Sequence, residues 1–323
     1  MSLAFIFPGQ GSQSVGMLTS LVEENSDYAK IVEEVFTIAN QQLGLDLWQL
    51  VSEGPMENLN KTEYTQPALL SVSVALYRIW EAAGGQKPEM MAGHSLGEYS
   101  ALVCAGVLDF ADAVLLVHKR GLYMQSAVAE GEGAMAAILG LEDDVIKSIC
   151  QQVTEENNKT VAAVNFNSPG QVVIAGYADM VKIAIEKLSE AGAKKCVPLP
   201  VSVPSHCALM QPAAEQLAAD IAEINLKEPM IPVVNNVDVI TETDVDKISS
   251  ALVKQLTQPV RWVECVSSIV EKGMAEKGAI TMIECGPGKV LTGLGKRINR
   301  AINGAAINDI TSINKALELT SNT

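Results

Sequence analysis

The sequence predicts an α/β protein, a parallel sheet covered by helices, with a second unit of ferredoxin-like order set into it. Short apolar runs alternate with longer helical patterns, the alternation that a parallel sheet requires. Between about residues 130 and 200 the order becomes β-α-β-β-α-β, that of a ferredoxin-like unit. The opening apolar run is followed by a Gly-rich loop, at the strand end where α/β sheets place ligand-binding loops.

Taken in order, Leu3–Phe7 reads as a buried strand that Pro8 stops. Residues 67–84 read as a largely buried helix. Met90–Gly93 is a short apolar run leading into Ser95 and a helix to about Ala105. Asp109 and Asp112 resemble a capping pair that opens a helix over 110–126. Ala129–Gly133 reads as a linker. A strand (134–139), a helix (142–153), two strands (160–165 and 171–175), a helix (178–191) and a strand (194–199) follow, and Pro198, Pro200 and Pro204 mark the return. The expected division is 1–129 and 201–323 as one unit, with 130–200 inserted.

Composition bounds the function. The chain has 323 residues, 48% of them hydrophobic, enough for a sizeable core. Its formal charge of −15 and 4% aromatic content exclude a protein that tracks a nucleic-acid backbone or stacks bases. The six cysteines form no CxxC pair, so neither a zinc knuckle nor a redox dithiol is expected, and no metal or cofactor. The uncharged first 22 residues lack a basic segment and are broken at Pro8. A second uncharged stretch, 196–214, carries four prolines. A cytoplasmic, reduced, monomeric protein without membrane spans is expected.

Gly93-His94-Ser95-Leu96-Gly97-Glu98 fits the G-x-S-x-G nucleophile elbow. A sharp strand-to-helix turn brings backbone close, so small residues are required two positions either side of the serine. The turn places the Ser95 hydroxyl at a helix start, where the Leu96 N–H stabilises an oxyanion. A Gln10 N–H from Pro8-Gly9-Gln10-Gly11-Ser12-Gln13 would complete the hole. Taken alone, either stretch also fits a plain tight turn. A serine nucleophile needs a base. Of three histidines, His94 should project away from its neighbour Ser95, and His118 fits a helix-surface or packed residue. His206, in a Pro-marked loop ahead of a helix, is the candidate base. The group orienting it is left open between Asp238 and a backbone carbonyl. Arg120 offers a planar fork of donors suited to a carboxylate.

Phe7–Gln13, Gly93–Glu98, His118–Gly121 and Pro204–His206 together resemble the malonyl-CoA:acyl-carrier-protein transacylase family. Thr65–Ala68, Asn165–Gly170 and Glu284–Gly288 are similar to it as well, and the motifs come in the family's order along nearly the whole chain. The resemblance implies an α/β-hydrolase-like core with an inserted ferredoxin-like subdomain. It implies Ser95 as nucleophile, His206 as base, the Gln255 carbonyl as its orienting group, Gln10 and Leu96 as oxyanion donors, and Arg120 as the malonyl carboxylate's partner. It further implies malonyl-CoA and an acidic acyl carrier protein as partners in fatty acid biosynthesis. Because this chain is acidic too, docking needs a local basic patch, for which Lys289, Lys296, Arg297 and Arg300 are the candidates. A serine hydrolase and an inactive carrier-binding module are the rival expectations.

Overall fold

The structure is a computed structural model that describes residues 2–201 and 203–321. The strands among them are β1 (Ser2–Phe7), β2 (Met90–Gly93), β3 (Gly133–Leu139), β4 (Val161–Ser168), β5 (Gln171–Tyr177), β6 (Lys195–Pro198), β7 (Val233–Val234), β8 (Ile280–Cys285) and β9 (Asn303–Ile307). They form a parallel sheet in the order β7-β2-β1-β8-β9 and an antiparallel sheet in the order β4-β5-β3-β6. This is the expected fold class, an α/β-hydrolase-like core with an inserted ferredoxin-like subdomain.

Every residue of β1 is buried, as a central parallel strand covered on both faces requires. Alternate side chains feed opposite layers. Leu3, Phe5 and Phe7 join the larger core, where the Phe5 ring meets Tyr77 and Trp80 of the helix Thr62–Ala82. Ala4 and Ile6 pack with Trp262, Val266 and Ile269 of the helix Trp262–Lys277.

The helix Thr62–Ala82 begins five residues before the expected Pro67, which lies inside it. Proline has no N–H to return to the carbonyl four residues back. That carbonyl, of Glu63, instead faces His118 Nδ1 at 2.8 Å. A Cβ on Gly121 would fall 2.6 Å from the Glu63 Cα, so the absent side chain lets the helices Thr62–Ala82 and Phe110–Ser126 touch. His118 thus serves helix packing, and the same contact brings Arg120 beside Gln66.

The antiparallel sheet covers one face with the helices Asp143–Asn157 and Ala178–Glu190. Its other face packs Met135, Val164, Val173 and Ala175 on Cys207, next to His206. Its edge is tied to the core through Val260, which donates to Val164 O (2.8 Å) and accepts from Phe166 N (3.0 Å). We propose 130–200 as the subdomain and 1–129 with 201–323 as the core unit. All six cysteines are free, and no helix among the described residues is long and apolar enough to cross a membrane.

Gly97 marks the tightest constraint on this architecture, because a Cβ there would lie 2.0 Å from Phe7 O. Gly97→Ala should lower stability by about 3 kcal/mol, since backbone has to move. Gly293→Ala, in open space within a helix, should instead gain about 0.5–1 kcal/mol. Urea unfolding midpoints of the two variants check both signs.

Candidate active site

Three loops meet at the C-terminal ends of β1, β2 and β8. Ser95 sits in the turn after β2 with φ 53° and ψ −108°, a conformation that costs a non-glycine residue of order 1–3 kcal/mol. Close packing and hydrogen bonds hold it there. A Cβ on Gly93 would lie 1.8 Å from the Gly97 carbonyl carbon, so the elbow closes only without one. His94 N–H donates to Phe7 O at 2.9 Å, and a Cβ on Gly9 would lie 2.6 Å from His94 O. The loop carrying Gln10 therefore lies directly against the elbow. A Cβ on Gly286, after β8, would meet the Pro8 ring at 2.3 Å. Asn236, just past β7, clamps the turn: its Oδ1 accepts from Ser95 N (2.8 Å) and its Nδ2 donates to Gly93 O (2.7 Å).

The Ser95 hydroxyl lies 2.8 Å from His206 Nε2, and His206 Nδ1 lies 2.7 Å from Gln255 O. A carbonyl oxygen only accepts, so Nδ1 carries the proton and Nε2 is left to accept from Ser95 Oγ. Burial pushes His206 down to about 3, the Arg120 charge pushes the same way, and the Gln255 bond opposes them. The imidazole is thus neutral and able to accept a proton at physiological pH. Of the two candidate orienting groups, it is the Gln255 carbonyl that lies at hydrogen-bond distance from His206 Nδ1. Asp238 is exposed and only its backbone N–H is engaged, by Asn235 Oδ1 at 2.7 Å.

Arg120 is wholly buried. Its Nη1 donates to Gln66 Oε1 at 2.7 Å, and its Nη2 donates to Gln255 Oε1 at 3.0 Å and to Ser95 Oγ at 3.3 Å. The guanidinium lies 5.3 Å from the centre of the Tyr99 ring, and Nε has no acceptor among the described residues. Burial lowers the Arg120 pKa, while Tyr99 and Glu98 raise it. Its bonded partners are neutral amide oxygens and a hydroxyl, so the charge is held in place without an ion pair. A guanidinium is in general a planar fork of donors that matches a carboxylate.

The structure brings Ser95, His206, Gln255 and Arg120 into one connected cluster, with Leu96 adjoining. Leu96 N–H and Gln10 N–H have no acceptor among the described residues, whereas Ser95 N–H is taken by Asn236. His94 turns away as expected, its Nε2 2.8 Å from Asn167 Oδ1 and its ring beside Trp262. Three participants were not singled out from the sequence. Gln66 holds Arg120, and Asn236 holds the elbow. Glu98, 2% exposed, accepts from Gln255 Nε2 (2.8 Å) and Asn236 N (3.0 Å). Burial lifts Glu98 to about 7, against those two donors and Arg120. Gln66 lies inside one of the quoted family motifs, and Asn236 in the stretch that offered Asp238. Among the described residues no cluster of three His, Cys, Asp or Glu side chains is placed to hold a metal.

A hydroxyl on a strained turn at hydrogen-bond distance from an imidazole, at the start of a helix, is an arrangement suited to acyl transfer. The acyl transferase domain family matches residues 4–312. The chain is 57% identical to the malonyl CoA-acyl carrier protein transacylase of Escherichia coli (strain K12), over 98% of this chain and 99% of that one. It is 43% identical to the same-named protein of Bacillus subtilis (strain 168), over 98% and 96%. A solved acyl carrier protein S-malonyltransferase from Vibrio cholerae superposes with a TM-score of 0.91 at 54% identity, covering 98% of this chain and 99% of that one. A malonyl-transacylase solved in complex with its type II PKS acyl-carrier protein gives 0.93 at 52%, covering 99% and 100%. The chain belongs to the malonyl CoA-acyl carrier protein transacylase family.

The environment of His206 sets its acid behaviour. The folded protein refuses a proton that the unfolded chain takes up below its ordinary value of 6.5. This group's contribution to stability is therefore complete above 6.5. It declines as pH falls towards 3, by about 1.4 kcal/mol per pH unit in that window. In a pH titration followed by histidine ring NMR, His206 should show no step near 6.5; a full step there would contradict the neutral base.

Proposed function

We propose that the protein transfers a malonyl group from malonyl-CoA to the phosphopantetheine thiol of acyl carrier protein, through a malonyl ester on Ser95, in fatty acid biosynthesis. The observation that carries this reading is Arg120, a buried cation held by neutral amides within 3.3 Å of the Ser95 hydroxyl. A free carboxylate on the acyl group gives this charge its partner, and an acetyl group leaves it without one.

In the first half-reaction the malonyl carboxylate pairs with Arg120. Ser95 Oγ attacks the thioester carbon while its proton passes to His206 Nε2, and Nδ1–H goes on donating to Gln255 O. The oxyanion is held by the N–H groups of Gln10 and Leu96. The C–S bond breaks and His206 returns the proton to the leaving thiolate of coenzyme A. In the second half-reaction the carrier thiol gives its proton to His206 Nε2 and its sulfur attacks the ester. The C–Oγ bond breaks, and Ser95 regains the proton. This chemistry uses no cofactor, and we place it in the cytoplasm in a monomer.

Carrier docking is proposed on the face that presents Lys289, Lys296, Arg297 and Arg300, all exposed on or beside the helix Val290–Ile298. Val290 is 56% exposed among them, which gives an acidic partner an apolar centre within a basic rim. Buried Glu284 pins this helix by accepting from Thr292 N at 2.7 Å, and Arg297 Nη1 donates to Gln171 Oε1 at 2.8 Å.

Intact mass after mixing with malonyl-CoA should show one malonyl group retained by the protein and none by Ser95→Ala; steady release of free acid instead would establish a hydrolase. Arg120→Ala should cost malonyl loading about 2–5 kcal/mol and leave acetyl loading comparatively favoured. Equal losses for both would remove the carboxylate role. Charge reversal at Lys296 and Arg297 should raise the carrier-protein KM with loading from coenzyme A unchanged, read by steady-state kinetics.

A further inference from the structure

We infer that Glu98 is a positioning residue for acyl selectivity: by accepting the Gln255 amide it fixes which face of that side chain Arg120 meets. This rests on the carboxylate role proposed for Arg120. The reaction sequence has no step for Glu98, yet the carboxyl is buried on the helix that begins at the nucleophile.

The Gln255 amide has two unlike ends, and its surroundings decide their order. Nε2 lies 2.8 Å from Glu98 Oε2 and 3.0 Å from Ser95 O, both of which accept. Asn236 Oδ1 is a longer third acceptor at 3.5 Å. Oε1 therefore faces Arg120 Nη2 at 3.0 Å. Turned over, the amide would set its NH2 against the guanidinium and its oxygen against two other oxygens, and both contacts are repulsive. Glu98 Oε2 is the nearer of the two main acceptors that prevent this.

The main-chain carbonyl that orients His206 belongs to the same residue, but backbone geometry places it, not the amide. Loss of the Glu98 acceptor should thus disturb Arg120 more than the Ser95–His206 pair. What fixes the order of the amide is an acceptor oxygen at 2.8 Å from Nε2, and the geometry asks nothing further of Glu98.

The test is single-turnover loading of Ser95 from malonyl-CoA and from acetyl-CoA. The proteins compared are the unaltered chain, Glu98→Gln, Glu98→Met, Gln255→Met and the double Met variant. Glu98→Met and Gln255→Met should each lower the malonyl-to-acetyl rate ratio by about tenfold or more, and the double variant should fall no further than either alone. Glu98→Gln keeps an acceptor oxygen and should hold the ratio within about threefold. Equal loss for both acyl groups, a fall in Glu98→Gln matching that of Glu98→Met, or multiplying effects in the double variant would each overturn the inference. Should Glu98→Met fail to fold, Gln255→Met decides alone, since an unchanged ratio there removes the link between the amide and Arg120. Arg120→Ala, assayed alongside, separates the two readings: if its ratio is unchanged, the carboxylate role fails first.

Discussion

The acceptor facing His206 Nδ1 is a neutral main-chain carbonyl, and the electrostatics of the site follow from that neutrality. A carboxylate in this place would hold the imidazole in the same tautomer. It would also stand near Arg120 and compete for the guanidinium. With a carbonyl there, the tautomer is set without supplying an anion. Arg120 is bonded by neutral oxygens alone, and burial together with its charge keeps the imidazole unprotonated. Base and cation therefore share a small volume without neutralising one another. Gln255 serves both through different atoms, its main-chain oxygen on the histidine and its side-chain oxygen on the arginine.

Much of the fold was legible where local chemistry and tertiary demand agree. Leu3–Phe7, Met90–Gly93 and the helix over 110–126 are apolar or capped in ways that admit few alternatives, and Asp109 does cap, accepting from Ala111 N. The start of the helix Thr62–Ala82 is not legible in sequence, because Pro67 reads as a first-turn residue. The compensation, a histidine from another helix facing the stranded carbonyl, is tertiary. β7 is two residues long and carries no periodic signal. β8 holds Glu284, a residue that reads as surface, and its burial makes sense only with the backbone of the following helix to bond.

The site divides in the same way. Ser95 and its glycines announce themselves because a turn this tight tolerates few side chains. His206 came by elimination among three histidines. Gln255 came only through family likeness, because a backbone carbonyl leaves no trace in residue type. Asp238 attracts notice because an acid is the usual orienting group, but it is exposed and its N–H donates to Asn235, three positions back. Asn236, Gln66 and Glu98 are ordinary polar residues in sequence, and their roles arise only when distant segments meet. Asn236, for instance, reaches Ser95 across 141 positions.

The ferredoxin-like subdomain is inserted in the sequence between Ser95 and the later residues that bond it. Ser95 precedes β3, whereas His206, Asn236 and Gln255 all follow β6. A growing chain thus exposes its hydroxyl long before any partner exists to take the proton, and the strained turn lacks its clamp until residue 236 has been made. The bonding around Ser95 is thus completed only by segments made after the polypeptide has passed through the insertion and returned.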